Sequence, residues 1–264
     1  MLEAFFKYHG LGNDFVVLDR RKTARDIDAS VARVLCDRRR GIGADGVLVL
    51  LPSAADAAVA RMVVHNADGS IAEMCGNGLR CVVKHLAEHT EGRLQSVTVE
   101  TGAGVLVSQT AWSPRGVDEI TVEMGAAKHG APNELVDGHT GTFVDMGNPH
   151  FVLLDTPPEK AHVVGPHLEV HPRFPHRANI ECCRHEADGS MVVTVWERGV
   201  GITQACGTGA CASVVASALE GKSPFDRWVK VTLPGGPLEV KVQRDLAKVF
   251  LKGPATFVYE GALP

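Results

Sequence analysis

The sequence lacks the marks of several large function classes. It has no excess of basic charge: 27 Lys and Arg stand against 31 Asp and Glu, a formal net charge of −4. That balance excludes the broad electrostatic footprint of a nucleic-acid binder, and the short run Arg38, Arg39, Arg40 reads as the end of a solvated helix. No apolar run approaches the roughly 18 residues a membrane helix needs; Val47 to Leu51 is typical of the longest, so no membrane partner is expected. Glu3 and Lys7 stand where a secretory leader would carry a basic segment followed by an apolar one, and the reading is therefore cytoplasmic. Seven cysteines are an odd number, which speaks against a disulfide framework. None forms the CxxC pair of a structural zinc site, so no metal site is expected. Nor is there a cofactor-binding motif, and no cofactor is expected.

What the chain does have is one short corner, twice. Cys75-Gly76-Asn77-Gly78 precedes apolar residues at helical spacing (Leu79, Val82, Val83, Leu86, Ala87), and Cys206-Gly207-Thr208-Gly209 precedes Ala210, Val214, Val215, Ala218 and Leu219. Each cysteine thus sits just before a helix. The first N–H groups of a helix have no intrahelical partner and carry partial positive charge, which favours a thiolate or a bound carboxylate. Cys75 and Cys206 are therefore candidate reactive thiols, while Cys36, Cys81, Cys182, Cys183 and Cys211 read as core residues.

Other landmarks also recur in order. A glycine corner with Asn13 leads into Phe15 to Leu18, and Gly147-Asn148-Pro149-His150 leads into Phe151 to Leu154. A helix from about Ala29 to Arg39, with Val31, Val34 and Leu35 on one side, follows the first of these. Turn signals at Asn66 to Gly69 and at Asp188-Gly189 precede the two cysteine corners, and a strand hairpin follows each central helix. This pattern predicts an α+β fold of two pseudo-symmetric domains made by internal duplication, each a β-sheet or barrel wrapped around a central helix. The domains are expected at 1–126, completed by about 255–264, and at 127–254. The stretch Ala210 to Leu219 has almost no polar face, so its helix must be buried on most sides.

Two such domains facing each other about a pseudo-twofold axis would bring the cysteines to opposite sides of one cleft. One thiolate could then remove a proton from one face of a carbon while the opposite thiol returns a proton to the other face. A helix terminus supplies about 0.3 to 1 kcal/mol, up to about 2, against barrier reductions of about 8 to 23 kcal/mol. Thiolate activation alone is too small, so helix-terminal donors must also stabilise charge developing on the substrate, each worth roughly 2.7 to 4 kcal/mol.

At these residues the chain closely resembles the diaminopimelate epimerase family. The resemblance rests on His9 to Phe15, Asn66 to Ser70, Met74 to Gly78 with Arg80 and Cys81, Gly147 to His150, Glu197 to Gly199, and Ala205 to Cys211. It implies a cofactor-independent enzyme interconverting LL- and meso-diaminopimelate in lysine and peptidoglycan precursor biosynthesis, working as a homodimer. The resemblance makes Cys75 and Cys206 the acid/base pair and has Gly76, Asn77, Gly207 and Thr208 hold the reacting carboxylate. It places Asn13, Asn66, Asn148, Asn179 and Arg198 on the substrate, Arg198 as a bidentate fork for the distal carboxylate. His150 and Glu197 fall near the thiols and the substrate amino group. Two departures stand out: Ile202 where many relatives have Glu, and Gly46 after Asp45 where one branch has Gln. A proline or hydroxyproline racemase is the alternative within the same fold, and a thiol redox or metal-binding module the alternative outside it.

Overall fold

In a computed structural model that describes residues 3–263, the chain divides into two compact units. The first comprises the residues up to Val122 and those from Gly253 onward, the second Glu123–Lys252.

In the first unit, Glu3–Gly10 and Asn13–Asp19 pair antiparallel across the two-residue loop Leu11-Gly12. Both loop residues have positive φ, 54° and 84°, as a two-residue hairpin turn whose twist matches its strands requires. The chain then crosses through helix α1 (Ala29–Cys36) to Gly46–Leu51, which lies parallel to Asn13–Asp19. Ala60–Asn66 returns antiparallel, followed by the short strand Ile71–Ala72 and helix α2 (Gly76–His89). Ser96–Thr101 comes back parallel to Ala60–Asn66 and begins a meander through Gly104–Ser113 and Gly116–Glu123. Thr256–Leu263 rejoins this unit antiparallel to Glu3–Gly10.

The second unit follows the same plan. His139–Asp145 and Pro149–Leu153 form the opening hairpin, and helix α3 (Ala161–Glu169) crosses to Asn179–His185, parallel to Pro149–Leu153. Met191–Glu197 returns antiparallel, then come the short strand Gly201–Ile202 and helix α4 (Gly207–Leu219). Trp228–Leu233 lies parallel to Met191–Glu197 and opens the closing meander with Gly236–Val242 and Val249–Gly253. Each strand pairing from hairpin to meander therefore has its counterpart in the other unit. Val249–Lys252 completes the second unit's meander, and the chain from Gly253 onward belongs to the first unit.

Helix α4 is buried from Ala210 through Ala218 and packs on six strands of its own unit. Helix α2 is similarly enclosed from Gly76 to Val83. Crossover helices α1 and α3 cover the other faces through separate apolar clusters, one built on Val16, Leu18, Leu35 and Val47 and one on Phe151, Leu153, Leu168 and Phe174.

Helix α1 differs from the expectation in both length and phase. It stops at Cys36, since the returning loop captures its last carbonyls: Ile42 and Gly43 N–H both donate to Leu35 O, and Ala44 N–H to Cys36 O. A Cβ at Gly41 would meet Val34 O at 2.0 Å, so this close return needs glycine. The buried face is Ala32, Leu35 and Cys36, while Val31 and Val34 are exposed. Choosing the bulkiest residues placed the face one position too early. Arg38, Arg39 and Arg40 lie beyond the helix end.

Candidate active site

Each central helix opens on its cysteine in the same way. Cys75 is the N-cap of α2 with extended backbone, and its Sγ accepts from Gly78 N–H at 3.4 Å. Cys206 is the N-cap of α4, and its Sγ accepts from Gly209 N–H, also at 3.4 Å. The helical ladders begin with Leu79 N–H to Cys75 O and Ala210 N–H to Cys206 O, so the N–H groups of Gly76, Asn77, Gly207 and Thr208 precede them. Cys75 is half-buried and Cys206 buried.

In the first unit, Asn77 Nδ2 donates to Asn13 Oδ1 at 3.0 Å, and Asn13 Nδ2 donates to Asp45 Oδ2 at 2.8 Å. Arg80, fully buried, donates to Asn77 Oδ1 at 2.9 Å and to the carbonyls of Gly76 and Pro254. Beneath them Arg38 bridges Asp14 and Asp45, and buried Lys7 pairs with Asp14 and with Gly43 O. This network brings Asn13, Asn77 and the Cys75 corner together. Asn66 stands opposite Gly46 in the strand pair, its Nδ2 donating to Ser70 Oγ, with the Gly46–Leu51 strand between it and the strand of Asn13.

In the second unit, His150 is fully buried between Glu181 and Asn148, with Nδ1 2.7 Å from Glu181 Oε1 and Nε2 3.0 Å from Asn148 Oδ1. Asn148 Nδ2 donates to Thr208 Oγ1 at 3.3 Å, and Thr208 Oγ1 lies 3.6 Å from Cys206 Sγ. Glu197 reaches the same thiol and accepts from Thr203 Oγ1. Asn179 sits to the side, its Nδ2 on Pro149 O and its Oδ1 on the N–H of Arg198, whose guanidinium donates to His176 O at 2.9 Å. Ile202 is exposed.

Two effects act on Cys206 in opposite directions. Burial pushes the Cys206 thiol well above its usual range, and Glu197 and Glu181 push it further; Thr208 and the Gly209 N–H act the other way without prevailing. A helix N-terminus favours thiolate, but by about 2 kcal/mol at most, whereas complete burial can move a group by several pH units. Burial therefore outweighs the helix terminus at Cys206 and favours its thiol form. Burial also raises the thiols of Cys36, to about 11, and of Cys81 and Cys182, to about 12, which suits core cysteines. Among the described residues no cluster of three or more His, Cys, Asp or Glu could hold a metal ion, and no helix is long and apolar enough to cross a membrane.

The sequence reading passed over two contributors. Glu181 was an unremarked acid in a strand, although a carboxylate flanked by Ile180 and Cys182 is itself a signal, because a buried acid needs a partner. Asp45 was noted only as the neighbour of Gly46, and its partners Asp14 and Asn13 lie 31 and 32 residues away.

The family model described as diaminopimelate epimerase matches residues 5–130 and 142–258. The diaminopimelate epimerase of Heliobacterium modesticaldum is 40% identical over 98% of this chain and 99% of its own length. That of Desulforudis audaxviator is 41% identical over 97% and 98%. Among solved structures, a Bacillus anthracis phenazine biosynthesis protein superposes with a TM-score of 0.77 at 18% identity, covering 100% of this chain and 99% of that one. A hydroxyproline epimerase from Agrobacterium vitis gives 0.75 at 16% identity, covering 99% and 91%. At such identities the two structures share the fold alone.

Proposed function

Because the chain belongs to the diaminopimelate epimerase family, we propose that it interconverts LL- and meso-diaminopimelate with Cys75 and Cys206 as its two acid/base groups. The observation that carries this reading is the matched pair of cysteine N-caps, each sulfur held by the third N–H of a buried helix. One thiolate removes the α-proton from one face of the carbon and the other thiol delivers a proton to the opposite face. Cys206, whose burial favours the thiol form, acts as the acid. The N–H groups of Gly76, Asn77, Gly207 and Thr208 receive the carboxylate whose charge grows as the carbon loses its proton. Asn66 and Arg198 contact the substrate, with Arg198 on the distal carboxylate. Asn13, Asn148 and Asn179 have both amide heteroatoms engaged within the protein, so they hold their neighbours in place and meet substrate only by sharing those bonds. His150 and Glu197 tune the thiols, and no cofactor takes part. A racemase for proline or hydroxyproline is disfavoured, since such substrates offer no distal carboxylate to Arg198.

The direct test is proton NMR of LL-diaminopimelate in deuterated water with the reduced protein, no pyridoxal phosphate or metal being added. Formation of meso product deuterated at the inverted carbon, lost in Cys75→Ala and Cys206→Ala, is the expected result. Turnover surviving either substitution would sink the two-thiol mechanism.

The same reading makes the protein a cytoplasmic homodimer. Phe257, Val258 and Tyr259 are consecutive strand residues, each at least 41% exposed, so apolar side chains on both faces of that strand lie open in a single chain. A second copy would cover them. Val258→Glu should halve the mass measured by sedimentation, and an unchanged mass would move the interface elsewhere.

A further inference from the structure

We propose that Glu181 is a positioning residue: acting through His150, it fixes the direction of a hydrogen-bond chain that ends on Cys206 Sγ. The inference rests on the two-thiol reading above and goes beyond it to a residue with no direct approach to substrate.

The chain runs Glu181, His150, Asn148, Thr208, Cys206, with successive separations of 2.7, 3.0, 3.3 and 3.6 Å. Glu181 and His150 have no solvent exposure at all. The second carboxyl oxygen, Oε2, is also buried and has no hydrogen-bond partner among the described residues. A carboxylate so placed cannot remain a net negative charge cheaply. His150 is the basic side chain that faces it; the other titratable groups that sense it, Cys182, Cys183, Glu197 and Cys206, offer no positive charge. Burial accordingly raises the Glu181 carboxyl, with His150 opposing.

The pair therefore keeps its proton and stays neutral overall. That proton sits either on Glu181, which then donates to His150 Nδ1, or on Nδ1 itself. In both cases Nε2 carries a hydrogen, as the contact with Asn148 Oδ1 demands. Asn148 must then turn its amide nitrogen to Thr208, as observed. Because Thr208 Oγ1 accepts from Asn148, its own hydroxyl hydrogen is left to donate to Cys206 Sγ. The chain thus supplies a donor to the sulfur when Cys206 has given up its proton.

With a neutral amide at 181 the direction is no longer fixed. A neutral imidazole can place its one proton on Nδ1, leaving Nε2 as an acceptor. Asn148 then reverses, and the Thr208 hydroxyl turns to Asn148 Oδ1 and away from the sulfur.

The experiment is a double-mutant cycle on diaminopimelate turnover with Glu181→Gln, Thr208→Val and both together. Gln preserves volume and can still bond Nδ1, so a role in shape alone would leave it active. We expect kcat to fall at least about tenfold in each single variant, as for other residues that orient a functional imidazole. KM in Glu181→Gln should stay within about twofold, and the double variant should be little worse than the weaker single. Wild-type turnover by Glu181→Gln, or losses that multiply in the double variant, would overturn the proposal. Nitrogen NMR of histidine-labelled wild-type protein gives a second reading that needs no folded Glu181 variant. His150, assigned through His150→Gln, should show a proton on Nε2, and a bare Nε2 would refute the chain's direction. Cys206→Ser in the otherwise wild-type protein separates the two hypotheses: its full activity would remove the two-thiol reading, whatever Glu181→Gln does.

Discussion

Lys7 and Asp14, on the two strands of the hairpin that carries Asn13, meet as a 2.6 Å ion pair, with the lysine side chain only 7% exposed. Burial works against the Asp14 charge, but the bonds and charges of Arg38 and Lys7 outweigh it and hold the carboxyl down to about 2. A carboxyl whose pKa is lowered by folding contributes stability above its unfolded value, near 3.9. That contribution is lost as pH falls through the folded value. Urea midpoints should therefore drop between about pH 4 and pH 2, and Asp14→Asn should flatten that part of the curve. The substitution also leaves Lys7 buried without its carboxylate, a loss of roughly 3 to 5 kcal/mol at neutral pH. An unchanged acid limb in Asp14→Asn would show that other carboxylates control it.

The matched glycines of the two cysteine corners should respond unequally to a methyl group. At Gly78 an added Cβ would meet Leu48 Cδ2 at 3.0 Å, the end of a side chain that can turn aside. At Gly209 it would meet Glu181 Oε1 and Val195 Cγ2 at 2.9 Å and Cys206 Sγ at 3.2 Å. The sulfur is hydrogen-bonded to that same residue's N–H, so it cannot withdraw without losing its cap. Gly209→Ala should cost about 1 to 3 kcal/mol of stability and at least about tenfold in turnover, more than Gly78→Ala on both measures. Equal losses would show that the second corner has slack the structure does not display.

Both corners were legible before any coordinates because each encodes its own geometry locally. Glycines after the cysteine start the helix, and the apolar run beyond it declares burial. The turns at Gly102 to Gly104 and at Pro234 to Gly236 join paired strands for the same reason. What local pattern could not supply was partnership across the fold. Glu181 lies in Asn179–His185, where five successive residues are buried; a strand covered on both faces loses the alternation that separates core from surface. Its partner His150 is 31 residues away on a parallel neighbour. Helix α1 misled for another reason. Valine is more apolar than alanine, yet Ala32 is buried and Val34 is exposed, so side-chain apolarity alone does not give the helix's rotation.

Glu197 should hold Cys206 in its thiol form. Next to burial, the Glu197 charge is the largest influence raising this thiol. Glu197→Gln removes that charge while keeping a hydrogen-bonding group, so the thiolate fraction at a given pH should rise. Alkylation of Cys206 by iodoacetamide, followed by peptide mass analysis, should then proceed faster at pH 8 than in wild type, and its rate profile should shift toward lower pH. A profile that stays in place would mean that burial, and not the Glu197 charge, controls the thiol.

Arg198 depends for its position on a carboxylate that does not touch it. Glu169, at the end of α3 and 7% exposed, accepts from Gly199 N–H at 2.8 Å, from Trp196 Nε1 at 2.8 Å and from Arg177 Nη1 at 3.3 Å. It grips the chain on both sides of Arg198, while Asn179 holds the N–H of Arg198 itself. Trp196 packs so closely on Gly165 that a Cβ there would lie 2.3 Å from its ring, which leaves the indole no alternative position. Glu169→Ala would orphan a half-buried indole N–H and a turn amide, lowering stability by about 1 to 3 kcal/mol. If Arg198 binds the distal carboxylate, the freed turn should also raise KM for diaminopimelate by about tenfold with a smaller change in kcat, since the reacting carbon is held elsewhere. Loss of stability with KM unchanged would confine Glu169 to the scaffold and weaken the assignment of Arg198 to substrate.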